Sequence, residues 1–487
     1  MKQLSGLDSS FLNMETPTTF GHVASLIVVD AGDSDVDLYR ALYETFEERL
    51  HLLEVYRRKL QWVPLGLDHP YWVDDPDLDL EFHLRQLALP APGSDEQLGE
   101  QVARIASRPL DRSRPLWEMY VISGLRGGRV GILSKLHHAT IDGVSGAELL
   151  NVLLDREPQG GHIEPPSEPW VPEQPPSSAE LLLRTLGAYA TRPRKAVQLQ
   201  VRLARTLVNL TGNPAARDAV GSALPVLRRV GILDRSAGEG PIRLPSRPAP
   251  KTPFNRPISA HRRFAFRTLS LSDARTVKSA FGVTVNDVVL ALSAGALRRY
   301  LQHHDALPDD PLVAMVPVSV RGDQGAGDST NQVAAVPSVL HTDIEDPVER
   351  LAAIHASMAA AKELQRALPA TMLTDLTQFA PPALSTRAAR LAGRLRLADR
   401  MNPPINVIVS NVPGPREPLY LSGAPMEHFY PVSNVTDGLG LNITVQSYLD
   451  NLDFGLVACR ELVPDLWTLC DALDEAMAEL LDRCPTR

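Results

Sequence analysis

The chain has 487 residues, a formal net charge of −9 and 44% hydrophobic residues. That length is too great for one ordinary core and suits two large domains, on the usual scale of roughly 100–200 residues each. The acidic balance argues against nucleic acid as the main partner, and no run approaches the ~18 apolar residues of a membrane span. Cys459, Cys470 and Cys484 form no CxxC pair, so a disulfide framework or zinc knuckle is not expected and a reducing compartment is. The start, MKQLSGLDSS, has no apolar core of signal-peptide length, and a cytoplasmic location is the expectation.

In chain order, residues 23–30 (VASLIVVD, with His22 in front) read as a strand, and the stretch from Asp37 (LYRALYETFEERL) carries apolar residues at helical spacing. Strands follow at 57–63 and 118–123. Gly127-Gly128 makes a turn, and RVGILSKLHH (129–138) is a further strand, with a helix at 145–154 behind it. Residues 155–178 are dense in Pro, Glu, Gly and Ser, which is linker composition. The stretch 179–235 reads as helical with proline interruptions, and 236–258 as a Pro- and Gly-rich strap. Strands restart at 262–271. A helix near 286–301 contains the apolar run Val288 to Leu297, and strands follow at 313–320, 405–412 and 440–448, with a last helix over about 463–483. This alternation predicts an α/β layer architecture with mixed sheets flanked by helices. The divisions are an N-terminal domain over 1–178, a connector over 179–258 and a C-terminal domain over 259–487.

The chemistry is concentrated in LSKLHHATIDGVSG, which holds His137, His138, Asp142 and Gly143. A buried strand delivers two histidines to its C-terminal end. Successive strand side chains point to opposite faces, so one histidine can face a cleft while the other supports it. Asp142 follows where the chain turns, and Gly143 permits a tight backbone before the next helix. A neutral imidazole takes a proton from an alcohol near pH 7 and returns it later. The plain alternative is a structural histidine pair beside an Asp-Gly turn. A two-His-one-carboxylate metal site is a further rival, but adjacent strand histidines diverge and no second ligand cluster is evident; no metal is expected. His303-His304-Asp305 is an internal control, a similar doublet in a polar loop before Pro308 that reads as surface. Gly143-Val144-Ser145-Gly146-Ala147 fails the last position of a nucleophile elbow, and the glycine-rich loop 322–331 lacks the Lys-Ser/Thr of a P-loop.

HHATIDG resembles the HHxxxDG signature of CoA-dependent acyltransferases, shared by chloramphenicol acetyltransferase and peptide-synthetase condensation domains. Over nearly its full length the chain is similar to the bacterial wax ester synthase/acyl-CoA:diacylglycerol acyltransferase family. LSGLDSSFLNME fits that family's opening, Pro115-Leu116-Trp117 its PLW element and Asn286-Asp287 its ND element. PVSVR (317–321), SNVPGP (410–415) and GLNITVQSY (440–448) match its C-terminal half. Thr330 departs from the glycine the family often has before the residue matching Asn331.

The resemblance implies two chloramphenicol-acetyltransferase-like domains with the active site at their interface. It implies that His138 is the base, that Asp142 is structural, and that Pro115, Leu116 and Trp117 shape the site. Asn286 admits two readings, an amide that orients a hydroxyl or steadies an oxyanion and an N-cap of the helix beginning there. The expected reaction is acyl transfer from acyl-CoA, as co-substrate with no cofactor, to diacylglycerol or a long-chain fatty alcohol. Rival expectations are a carrier-protein-dependent acyltransferase and a lipid-binding protein with a degenerate site. Ten Lys/Arg against three Asp/Glu in 179–235, and five Arg against one Asp in 384–400, admit two readings, peripheral contact with an anionic membrane or a lipid-droplet surface and a plain solvated face.

Overall fold

The computed structural model describes residues 1–32, 36–140, 152–161, 163, 170–187, 249–319, 333–367 and 402–485. The expected helix at 145–154 lies outside them but for its last residues, as do 384–400, most of the basic stretch 179–235 and the glycine-rich loop at 322–331.

The first half comprises β1 (Lys2–Gln3), α1 (Gly6–Met14), β2 (His22–Asp30), α2 (Leu38–Arg49), α3 (Glu54–Arg57), β3 (Arg58–Gln61), β4 (Tyr71–Asp74), α4 (Leu80–His83), β5 (Leu84–Ala88), α5 (Asp95–Ala106), β6 (Trp117–Ser123) and β7 (Arg129–His137). The second comprises β8 (Arg262–Ser270), α6 (Leu271–Phe281), α7 (Val285–His303), β9 (Val313–Ser319), β10 (Val333–Val339), α8 (Pro347–Ala367), β11 (Val407–Val412), β12 (Tyr420–Leu421), β13 (Ala424–Val432), β14 (Leu441–Tyr448), β15 (Asn451–Cys459) and α9 (Leu466–Asp482).

Two six-stranded mixed sheets result, in the orders β12-β13-β2-β7-β6-β5 and β10-β9-β11-β14-β15-β8, with a small sheet β1-β4-β3 beside them. In the first sheet β5 and β6 are parallel and the other pairs antiparallel. In the second, β11 runs parallel to both β9 and β14. The α/β architecture read from the sequence is the architecture found.

The halves interlock. β13 comes from the C-terminal part of the chain but pairs with β2, Phe429 opposite Ile27. It also crosses β15 closely enough that a Cβ on Gly455 would lie 1.8 Å from Pro431 O. Only glycine allows that approach. Next to it, buried Asp453 accepts the Phe429 N–H at 2.7 Å and the Thr268 hydroxyl at 2.6 Å, tying both sheets to one carboxylate.

Local chemistry sets the element ends. α5 opens on a Ser94/Gln97 capping box, and α6 ends on Gly282 in the left-handed region. The apolar run in α7 is core helix, buried from Asp287 to Leu297. No single helix among the described residues is long and apolar enough to cross a membrane. α6 and α7 pass that test only as a pair bent by 103°.

Candidate active site

β7 is buried along most of its length and presents its C-terminal end between β2 and β6, with His137 opposite His22. The histidine doublet is pinned from both sides by main chain. The His137 N–H donates to Leu116 O at 2.9 Å, and the His138 N–H donates to Gly21 O at 2.8 Å. The chain then leaves the sheet in a single 3₁₀ turn, His138–Thr140, which the Thr140 hydroxyl closes on His137 O at 2.6 Å.

The two imidazoles separate where the strand ends, since β7 stops at His137 and His138 opens the turn, one residue short of the expected strand to 138. His138 is exposed, with its ring stacked on Phe11 of α1 at 4.1 Å and 14°. Dense protein behind the stacked ring lowers its pKa below the ordinary 6.5, chiefly by desolvation and further by neighbouring His137. A neutral, basic nitrogen at neutral pH is what a general base needs. His137 is 1% exposed. Its Nδ1 accepts the Ala139 N–H at 3.0 Å, which assigns the proton of the neutral ring to Nε2.

Behind His137 stands a network of residues the sequence reading did not single out. His137 Nε2 lies 3.3 Å from Glu15 Oε1, near enough for charge contact although too poorly aligned for a hydrogen bond. The same oxygen accepts the Gly21 N–H at 2.6 Å. The other oxygen accepts from Arg112, whose Nε is 3.0 Å away, and Arg112 also donates to Leu12 O at 2.7 Å. Burial raises the Glu15 pKa. Contact with His137, the Arg112 charge and the Gly21 N–H outweigh it, and the carboxyl falls to about 2. Gly21 has no room for a side chain: a Cβ there would sit 2.5 Å from His137 Nε2 and 3.0 Å from Phe11 O. Phe11 and Glu15 lie in the LSGLDSSFLNME segment, so their signal was visible, but their connection to a histidine more than a hundred residues later was not.

Pro115, Leu116 and Trp117 are all buried and work from beneath. Leu116 packs with Leu4, Leu12 and Ala139 and lends its carbonyl to His137. Trp117 stacks between Phe46 and His83, at 5.1 and 4.4 Å, and its Nε1–H donates to Tyr56 O at 2.9 Å. Asp142 and Gly143 lie outside the described residues.

The Asn286-Asp287 pair divides differently from expectation. Thr284, not Asn286, caps α7, forming a reciprocal capping box with Asp287. Buried Asp287 also meets His355 Nδ1 at 2.7 Å. Asn286 is the second helical residue and lines a cavity of about 360 Å³ with Lys362, Asn411 and Ser447. With Thr284 in the capping position, the N-cap reading of Asn286 is set aside. His303 and His304 are exposed as read, although α7 runs to His303 where a loop was expected; His304 Nε2 meets Asp465 at 2.9 Å. Among the described residues no three metal-ligating side chains converge.

Residues 4–289 match the family model described as the wax ester synthase/diacylglycerol acyltransferase catalytic domain, and residues 329–481 the WS/DGAT C-terminal domain. A putative diacylglycerol O-acyltransferase of Mycobacterium tuberculosis is 38% identical over 484 residues, covering 99% of this chain and 90% of the relative. A second from the same species is 40% identical over 481 residues, covering 98% and 99%. The solved wax ester synthase/diacylglycerol acyltransferase of Marinobacter aquaeolei VT8 superposes with a TM-score of 0.67 at 31% identity, over 98% of each chain. The first condensation domain of the CDA synthetase, at 15% identity and a TM-score of 0.52 over 100% of this chain and 98% of that one, shares the fold alone. With two family models in order along it and full-length relatives at this identity, the chain belongs to the wax ester synthase/diacylglycerol acyltransferase family and is an acyltransferase.

Proposed function

We propose that the chain transfers an acyl group from an acyl-CoA thioester to the free hydroxyl of diacylglycerol, giving triacylglycerol. A long-chain fatty alcohol is the second acceptor and gives a wax ester. The observation that carries this reading is the exposed imidazole of His138, its pKa lowered by desolvation, held at a strand end by Phe11, Gly21 and the network of buried His137 with Glu15 and Arg112.

The chemistry follows from that nitrogen. Neutral His138 accepts the hydroxyl proton as the alcohol oxygen bonds to the thioester carbon. The resulting oxyanion collapses, the C–S bond breaks, and the imidazolium returns the proton to the departing thiolate. One ester forms, one thioester is lost and free CoA leaves. Transfer is direct, without an acyl-enzyme, and requires no cofactor or metal. Asn286 is an amide suited to orienting a hydroxyl or an oxyanion, and Pro115, Leu116 and Trp117 set the position of the strand end.

The test is the purified protein with one long acyl-CoA and a panel of hydroxyl acceptors, with products separated by lipid class. Triacylglycerol as the main product supports the reading. Use of carrier-bound donors alone overturns it.

A further inference from the structure

A second cavity, of about 300 Å³, opens at the seam where α5 packs on β8, and its lining is dominated by arginine. Arg104 and Arg108 come from the end of α5, Arg262 and Arg263 from the start of β8, and Arg460 from the turn after β15. Glu100 is the acidic group in the lining, and it pairs with exposed Arg104 at 3.0 Å. Glu461 engages Arg460 and His261. Arg108 and Arg263 have no carboxylate within ion-pair distance among the described residues, and Arg263 Nε is buried without a hydrogen-bond partner. Arg262 is 5% exposed, lies over the Phe20 ring and donates to the carbonyls of Ser259 and Thr18. Burial lowers its pKa to about 10, so it keeps its charge at neutral pH.

Helix-end chemistry explains part of this at most. Basic groups favour a helix C-terminus, but buried Lys135 already serves the end of α5, donating to Arg108 O at 2.6 Å and reaching Ile105 O at 3.3 Å. The arginines of β8 and of the turn after β15 belong to no such end. A guanidinium without a carboxylate partner, as on Arg108 and Arg263, recognises phosphate in a bidentate manner.

A short stretch of chain links the groove to the histidine turn. Arg262 donates to Thr18 O, and Gly21, three residues on, accepts from His138 N–H. Three residues span at most about 11 Å. A fully extended pantetheine arm is longer, about 15 Å or more from ordinary bond lengths.

We infer that this arginine groove binds the phosphate groups of the donor, the nucleotide end of acyl-CoA, while its thioester reaches His138. The inference rests on the acyl-CoA reading above. Its test compares a long acyl-CoA with the acyl-pantetheine of the same chain, which lacks the nucleotide. Arg108→Ala, Arg263→Ala and their double variant are the perturbations. The expected result is a KM for acyl-CoA raised about tenfold per arginine, with kcat and the KM for acyl-pantetheine unchanged. Adenosine 3′,5′-bisphosphate should compete with acyl-CoA in the wild type and about tenfold less well in each variant. Equal KM shifts for both donors, or none for either, overturn the inference. So does an unchanged KM for acyl-CoA with lost sedimentation on phosphatidylglycerol vesicles, which assigns the groove to a lipid headgroup. If the wild type uses no acyl-CoA, the function reading fails separately. Calorimetry with adenosine 3′,5′-bisphosphate then still decides the groove: wild-type binding that the double variant loses supports it, and no binding overturns it.

Discussion

Replacing Glu15 by glutamine keeps the shape of the side chain and removes the carboxylate that lies against His137. In the native protein Glu15 accepts the Gly21 N–H and Arg112, and faces His137 Nε2 at 3.3 Å. Its pKa falls from 4.5 to about 2, which at about 1.4 kcal/mol per unit corresponds to about 3 kcal/mol. Arg112 is 36% exposed, so solvent screens its share, and the expected loss for Glu15→Gln is about 2 kcal/mol at pH 7. The sign with pH follows from the lowered pKa. The stabilisation is complete above the unfolded value of 4.5 and is lost as pH falls through the folded value near 2. Wild type and variant should therefore converge in stability as pH drops from 5 towards 2. Turnover should fall roughly tenfold at equal folded fraction, because the turn carrying His138 loses its anchor and small misplacements of a catalytic group are costly. Denaturant unfolding of both proteins at several pH values, with CoA release at pH 7, measures all three. A variant within about 0.5 kcal/mol of wild type at pH 7, or a stability gap independent of pH, would refute the reasoning.

His138→Ala should cut turnover by roughly 10²–10⁴-fold while the protein stays folded, since the exposed ring loses only its stack on Phe11; near-native turnover of the folded variant would exclude His138 as the base. His137→Ala should instead act mainly on melting temperature, because the buried ring holds the Ala139 N–H and faces Glu15, so a larger turnover loss than His138→Ala would reverse the assignment. The acid limb of the pH–rate profile should lie below 6.5, because desolvation lowers the His138 pKa and the base stays neutral further into acid; a limb above 6.5 contradicts this. Gly21→Ala places a Cβ 2.5 Å from His137 Nε2 and should cost about 1–3 kcal/mol by overpacking, with turnover falling alongside; calorimetry and a CoA-release assay check both.

The sequence carried much of this protein by itself. β2, β7 and α7 were legible because each writes its burial into local pattern, and α7 lies within one residue of its expected start. The unequal histidines were legible too, because a doublet at a strand end cannot present both rings alike, although the strand stops at His137 and the turn places His138. What escaped depended on contacts between distant residues. Nothing near Glu15 in the chain announces that it lies against His137, since strand pairing and the return of the chain through Gly21 create that contact. Asn286 read equally well as a cap until Thr284 proved to occupy that place and left Asn286 in the lining of a cavity. β13 serves the sheet of the opposite half, and the arginine groove gathers three chain segments separated by some 150 to 350 residues. Periodicity and motif report what a segment buries and what chemistry it carries. Which segments meet is fixed by packing the two sheets together, and that is where the supporting network, the role of Asn286 and the groove were decided.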